Sequence, residues 1–373
     1  MKTLGIYIHI PFCVKKCAYC DFLSFPCSAV GAADAYFEAL GREIAVKSAD
    51  FNDYCVDTIF IGGGTPSLVD VKFISDLLRE IRKYYNVSEN AEITIEGNPD
   101  SLTFEKMAHY RELGINRLSM GVQSLSDDVL KLLGRVHNAN RAIEAFSDAR
   151  RAGFENVNMD FIFGVPGDDR KAVRETFEKL VELHPEHVSA YSLIVEEGTP
   201  IYYNIERGVL DEPDDAFDRE DYYFIKKILA DNGYYQYEIS NFAKKGFESR
   251  HNIKYWRRND YLGLGLGAAS CIGNRRFANT SDMDAYIENP VSNLREDIEM
   301  TSEEIEKEYL MLGFRMPDGP DFSEFPGDIE KYRDSFEKLI RRGLICKTSD
   351  ERHPMKLTDK GLDFANEIFM EFN

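Results

Sequence analysis

Apolar runs too short to be helices alternate with longer amphipathic stretches through the first half of the chain. The short runs lie at residues 4–10, 58–61, 92–96, 117–121, 157–162 and 187–192 and read as strands. Between them, residues 35–46, 71–84, 103–113, 140–152 and 172–183 carry apolar side chains at helical period. Asp34 and Thr103 stand where helix N-caps belong, and Gly114 and Gly153 where helices stop. Repeated βα units predict a parallel sheet, closed or nearly closed into a barrel. Six units, against the eight of a complete barrel, predict an open, partial (β/α)6 barrel. After about residue 297 the pattern changes. Helical stretches at 302–312, 329–342 and 359–370 surround a loop with Pro and Gly, 317–327, and a strand pair near 344–348 and 355–357. The expected division is a barrel over 1–296 and a small α+β domain over 297–373.

Charge narrows the partners. With 65 acidic and 45 basic residues the chain carries a net −20, which repels nucleic-acid phosphates and anionic lipid headgroups. No nucleic-acid partner is expected. No apolar run approaches the length of a membrane span, and the first one is short and lacks the layout of a signal peptide. Of seven cysteines, Cys27, Cys55, Cys271 and Cys346 are scattered without pairing, as in a reducing, cytoplasmic setting.

The other three cysteines sit in one loop after the first strand, Cys13, Cys17 and Cys20, spaced C-x3-C-x2-C. Three thiolates can hold three irons of a [4Fe–4S] cluster, leaving the fourth iron open to a small molecule. Structural zinc needs four ligands and no second pair is visible; a disulfide would leave one thiol over. In barrels the chemistry gathers at the C-terminal strand ends, and there the sequence places Gly62-Gly63-Gly64-Thr65-Pro66, Glu96-Gly97-Asn98-Pro99, Gln123, Asp160 and Tyr191-Ser192. The glycine triplet lets backbone approach a ligand closely. Glu96 is either an acceptor for a ribose or amine, or a solvated strand-end carboxylate. Arg135 is either a carboxylate partner or a surface ion-pair residue, and Tyr7 by itself reads as core packing.

The runs Tyr7 to Phe22 (Y-I-H-I-P-F-C-V-K-K-C-A-Y-C-D-F), Gly62 to Ser67 (G-G-G-T-P-S), Glu96 to Pro99 and Gly121 to Leu125 resemble the radical S-adenosylmethionine (SAM) family. Within it they are similar to the oxygen-independent coproporphyrinogen oxidase group. The resemblance implies a radical SAM barrel in which Cys13, Cys17 and Cys20 bind the cluster. It implies SAM contacts at Tyr7, Gly63, Gly64, Thr65 and Glu96, with Gln123, Arg135 and Asp160 holding SAM or a second SAM. The C-terminal part resembles that group's small HemN-type domain, with a winged-helix-like layout, expected as a lid or docking surface over the barrel mouth. Two departures point within the group to the HemW haem chaperones. Coproporphyrinogen dehydrogenases carry a further cysteine where Phe22 stands, and a longer segment where six residues precede Tyr7.

The run His251-Asn252-Ile253-Lys254-Tyr255-Trp256 matches the H-N-x-x-Y-W pattern of that subgroup. An imidazole can ligate haem iron axially, with Asn252, Tyr255 and Trp256 beside it; the alternative is a satisfied histidine packed in a small core. Where relatives show Gly-Ala-His, this chain has Gly267-Ala268-Ala269. The expectation is therefore a haem chaperone with cluster and SAM, serving haem-acceptor proteins such as membrane respiratory enzymes, with transient membrane contact and a homodimer implied by the resemblance. The alternative is a radical SAM enzyme acting on a porphyrinogen or transferring methyl groups.

Overall fold

The computed structural model describes residues 1–26, 32–167 and 170–372; Cys27 lies outside the described residues. Six strands run parallel in chain order: β1 (Lys2–Ile10), β2 (Tyr54–Gly63), β3 (Val87–Gly97), β4 (Arg117–Gln123), β5 (Val157–Phe163) and β6 (His187–Ser192). Apolar side chains recur at alternate positions along them, interrupted at Val56/Thr58 by an irregularity in β2. Leu4, Ile6, Ile8 and Ile10 on β1, Ile93 and Ile95 on β3, and Leu118, Met120 and Val122 on β4 join one apolar core. Because strand side chains alternate faces, the opposite face carries Gly5, Tyr7 and His9, then Glu92, Thr94 and Glu96, then Arg117 and Ser119, then Asn158 and Asp160. The inside of this barrel is therefore polar, and its apolar core lies between sheet and helices.

Outside the sheet lie α1 (Ala32–Lys47), α2 (Val71–Tyr84), α3 (Phe104–Glu112), α4 (Asp127–Leu132), α5 (Ala139–Arg151) and α6 (Arg170–Leu183). Thr103 caps α3 by accepting from the Lys106 amide. Gly114 and Gly153 follow their helices at φ +85° and +88°, the left-handed turn that ends a helix cheaply in glycine. Asp34 is not a cap: α1 starts at Ala32, so its carboxylate lies in the first turn, facing the positive end of the helix dipole.

The sheet continues past the expected six strands. Adding β7 (Tyr235–Gln236), β8 (Asn241–Ala243), β9 (Tyr261–Leu264), β10 (Ala269–Ile272), β11 (Arg275–Asn279) and β12 (Leu294–Glu299) gives 12 strands, ordered β12-β11-β10-β9-β1-β2-β3-β4-β5-β6-β8-β7. β9 pairs with β1 in parallel, so the first strand is flanked on both sides. The order has two ends, which leaves the barrel open, and β12 runs across the division expected between residues 296 and 297.

Helices α7 (Pro200–Glu206), α8 (Asp215–Asp231), α9 (Arg250–Trp256) and α10 (Met283–Glu288) connect these strands, and α11 (Ser302–Gly313) follows the sheet. The remainder holds α12 (Arg333–Arg341), the hairpin β13 (Ile345–Lys347) with β14 (Met355–Leu357), α13 (Asp359–Asp363) and α14 (Ala365–Glu371). Together with α11 these elements form a core of their own around Leu310, Phe314, Phe336, Leu339, Ile368 and Phe372. The unit touches both margins of the open sheet. Ile239, between β7 and β8, donates its amide to Arg315 O at 3.1 Å. Glu308 pairs with Arg258 and, on β11, Arg276, each at 2.7 Å. It sits against the open flank of the barrel.

Candidate functional site

The cysteine loop is fastened on two sides by backbone hydrogen bonds. The Ala18 amide donates to Leu133 O and Ala18 O accepts from the Ile201 amide, both at 3.0 Å. Tyr19 packs against Val129, Leu133, Val165, Leu193 and Ile201. Cys13, Cys17 and Cys20 are free thiols, half-buried. Burial pushes the Cys20 thiol up, and Cys17 and Cys13 add to the rise, so the three sulfurs share one electrostatic neighbourhood. Among the described residues no three His, Cys, Asp or Glu side chains are gathered as ligands of one ion. A polynuclear cluster makes a different demand, one sulfur to each of three irons.

A ring of polar contacts surrounds the loop. Thr65 Oγ1 lies 3.5 Å from Cys13 Sγ, Asn98 Nδ2 donates to Thr65 Oγ1 at 3.3 Å, Arg135 Nη2 donates to Asn98 Oδ1 at 2.6 Å, and Arg135 Nη1 donates to Cys17 Sγ at 3.3 Å. Hydrogen bonds to sulfur of this kind tune a cluster. Asn98 stands in the quoted Glu96–Pro99 run, yet nothing in the sequence singled it out. Beside it, Gln123 ends β4 at φ +68°, a left-handed conformation that costs a non-glycine residue about 1–3 kcal/mol and clusters at functional sites.

The glycine triplet is laced to the strand that enters the loop. Gly64 N donates to Ile10 O and Thr65 N to Phe12 O, both at 2.8 Å. Gly63 has φ +112°, and a Cβ there would come within 2.6 Å of the His9 ring. His9 Nε2 donates to Leu23 O at 2.8 Å, so its Nδ1 accepts from the Tyr7 hydroxyl at 2.9 Å. Glu96 accepts from Gly63 N at 3.1 Å. Burial and then repulsion from Asp160 push its carboxyl up to about 7, against the Gly63 amide and Arg117. Burial also raises Asp160, which accepts from Ser119 Oγ at 3.2 Å and Asn158 Nδ2 at 2.8 Å.

His251 is placed elsewhere. It is the second residue of α9, which packs on the N-terminal halves of β1 to β3; Thr58, its partner on β2, precedes Gly63 by five residues, about 16 Å of strand. The ring is buried, with Nδ1 at 2.8 Å from Thr58 Oγ1 and Nε2 at 2.8 Å from Tyr255 Oη, and it stacks on Phe60. Burial, then Lys254 and Arg117, lower its pKa to about 3, so it is neutral. Both ring nitrogens of the residue expected as axial haem ligand are engaged, so ligation would require the Thr58 or Tyr255 hydroxyl to give way. The rest of the motif divides. Asn252 N is held by the Ser249 cap, and Trp256 lies under Arg315 of the C-terminal unit, 4.5 Å from its guanidinium carbon.

Comparison with known proteins fits this geometry. The Radical SAM superfamily model matches residues 7–180. The chain is 36% identical over 378 residues to the heme chaperone HemW of Bacillus subtilis, covering 98% of each. Against the heme chaperone HemW of Escherichia coli it is 32% identical, covering all of this chain and 98% of the other. The chain belongs to the HemW family. A solved structure, the coproporphyrinogen III oxidase HemN of Escherichia coli, a radical SAM enzyme, superposes with TM-score 0.85 at 25% identity, covering 100% of this chain and 90% of that one.

In this HemW-family chain the site residues expected from sequence fall into two sets. Tyr7, Gly63, Gly64, Thr65, Glu96, Gln123, Arg135 and Asp160 gather with the three cysteines at the C-terminal strand ends, and the donor set fits a cluster and SAM. His251 and Tyr255 lie at the other end. Sequence reading passed over Asn98, His9 and the buried Arg117. It also passed over the apolar surface beside the loop. Phe22 is 69% and Ile194 70% exposed, and Val14 and Val136 are exposed too, all on segments that meet the cysteine loop, which itself offers the exposed Lys15 and Lys16.

Proposed function

We propose that the protein is a haem chaperone that binds haem and a SAM-ligated [4Fe–4S] cluster and hands haem to acceptor haemoproteins, membrane respiratory enzymes among them. The observation that carries this reading is the likeness to heme chaperones over the full length of both chains. Cys13, Cys17 and Cys20 would hold the cluster, which when bound supplies a one-electron store with an open iron for SAM. Tyr7, the Gly63–Gly64 backbone, Thr65, Glu96, Gln123 and Asp160 would receive SAM, and Arg135 ties the loop to strands β3 and β4 around it. Haem would lie on Phe22, Ile194, Val14 and Val136, an apolar surface for a flat macrocycle, with Lys15 and Lys16 placed for its propionates. Acceptors at the membrane imply a passing contact with it, and the family resemblance implies a homodimer.

Anaerobic haem titration of the cluster-loaded protein, followed by Soret absorbance, tests this. Saturable binding that survives His251→Ala and is weakened by Phe22→Asp supports the reading. Absence of specific binding, or binding lost in His251→Ala and indifferent to Phe22→Asp, refutes the haem placement. A second reading, a radical SAM enzyme, is favoured by the complete set of acceptors at Tyr7, Glu96 and Asp160. Formation of 5′-deoxyadenosine on reduction with a porphyrinogen present would support it.

A further inference from the structure

Arg117 opens β4 and points a permanent charge into the barrel. It is 2% exposed, its Nε has no hydrogen-bond partner, and among the described residues no carboxylate is in ion-pair contact with it. An arginine does not give up its proton, and a buried cation without a counter-charge is costly. Its register places it opposite Thr94, one layer beneath the Glu96–Ser119 pair.

The groups that feel Arg117 define its place. Towards the cysteine loop it works against the burial that raises the carboxyls of Glu96 and Asp160, alongside their hydrogen bonds. Towards α9 it adds to the burial that holds His187 and His251 neutral, and from the side it opposes the burial that raises Tyr237. The other ionisable neighbours do not replace it. Tyr7 and Tyr255 beside Glu96 are held protonated by burial. Glu238 is raised by burial, and Lys254 is engaged by Asp57 at 2.8 Å.

We propose that Arg117 is a positioning residue, the fixed internal counter-charge that keeps Glu96 and Asp160 as hydrogen-bond acceptors for the ribose hydroxyls and ammonium of SAM. The inference rests on the SAM assignment above. Two enclosed carboxylates that repel each other would otherwise share a proton, and a protonated carboxyl has lost acceptor capacity. Distance is the useful feature. A guanidinium in contact would occupy the carboxylate lone pairs, whereas one set back favours the charge and leaves the lone pairs to the ligand.

The test is SAM affinity of the cluster-loaded protein, read by equilibrium dialysis and by the SAM-induced change in the EPR signal of the reduced cluster, from about pH 6 to about pH 9. Arg117→Met removes the charge at similar length. Expected is about a tenfold loss at neutral pH, one pKa unit's worth, recovered as the solution becomes alkaline. Arg117→Lys keeps the charge and the wild-type profile, and it carries the test if the methionine variant does not fold. A loss equal at every pH in either variant, or no loss in Arg117→Met, overturns the proposal. Wild-type protein that binds no SAM, or Glu96→Gln that binds it unchanged, overturns the SAM assignment and the proposal with it.

Discussion

The two ends of one barrel are built on opposite plans. At the C-terminal strand ends, groups with unused capacity are brought together: three free thiols, an arginine shared between Asn98, Gly121 and Cys17, and two carboxylates pushed up by burial. At the N-terminal ends, Arg117 apart, the charged and polar groups that meet α9 are already matched. Glu92 accepts from the Arg250 and His251 amides at 3.2 and 3.1 Å, His251 has partners on both nitrogens, and Lys254 meets Asp57. The histidine-containing motif at the second end is held by these contacts, and a ligand there would have to displace one of them. Chemical suitability is read from residue type; availability is read only from partners.

The largest effect falls at the first end. Cys17→Ala is expected to abolish the cluster, measured as iron and sulfide content, while circular dichroism stays native. Retention of full iron content would break the contrast at its root. At the second end, Glu92→Ala removes two charge-assisted bonds to the first amides of α9. A loss of about 3 kcal/mol in denaturant unfolding is expected, with the cluster still loaded in the folded fraction.

His251→Leu strands Thr58 Oγ1 and Tyr255 Oη and should cost about 1–3 kcal/mol, with haem affinity unchanged. Haem affinity that collapses in a folded His251→Leu protein would erase the distinction between the two ends.

The smallest effect is on pH dependence, and its sign differs between the ends. The folded pKa of His251, about 3, lies below the unfolded value of about 6.5. The unfolded chain then binds more protons in that window, so His251 makes stability fall as pH drops from 6.5 towards 3. Glu96 works the other way. Its folded pKa, about 7, lies above the ordinary 4.5, so its burial costs stability as pH rises from 4.5 through 7. Thermal melts of the ligand-free protein should show Glu96→Gln more stable than wild type at alkaline pH and His251→Leu less acid-sensitive than wild type. The same direction of change in both variants would contradict this assignment.

What could be read without coordinates follows from where the information is local. The six parallel strands carry apolar runs, and the strand ends carry their chemistry in contiguous residues, so both were legible. β9 was not: Tyr261-Leu262-Gly263-Leu264 sits in a glycine run with weak strand propensity, and only its pairing with β1 makes it part of the barrel. Arg117 reads as a solvated strand start, because its burial is created by strands far away in sequence. His251 was legible as important and not as satisfied, since Thr58 lies 193 positions away. The C-terminal helices were seen, but 329–342 begins as a 3-10 turn at Ile329–Tyr332 and 359–370 breaks at Phe364. Their seat on the flank depends on ion pairs such as Glu308 to Arg258 that no local pattern announces.

The clasp at Ala18, one amide given to Leu133 and one carbonyl taken by Ile201, joins the cysteine loop to α4 and α7. Both contacts use backbone atoms, so a change of side chain at Ala18 leaves them in place, whereas proline there has no amide hydrogen to give to Leu133. The sulfurs are thereby seated on two helices far apart in the sequence, and a substitution that shifts either helix would move them without touching a cysteine.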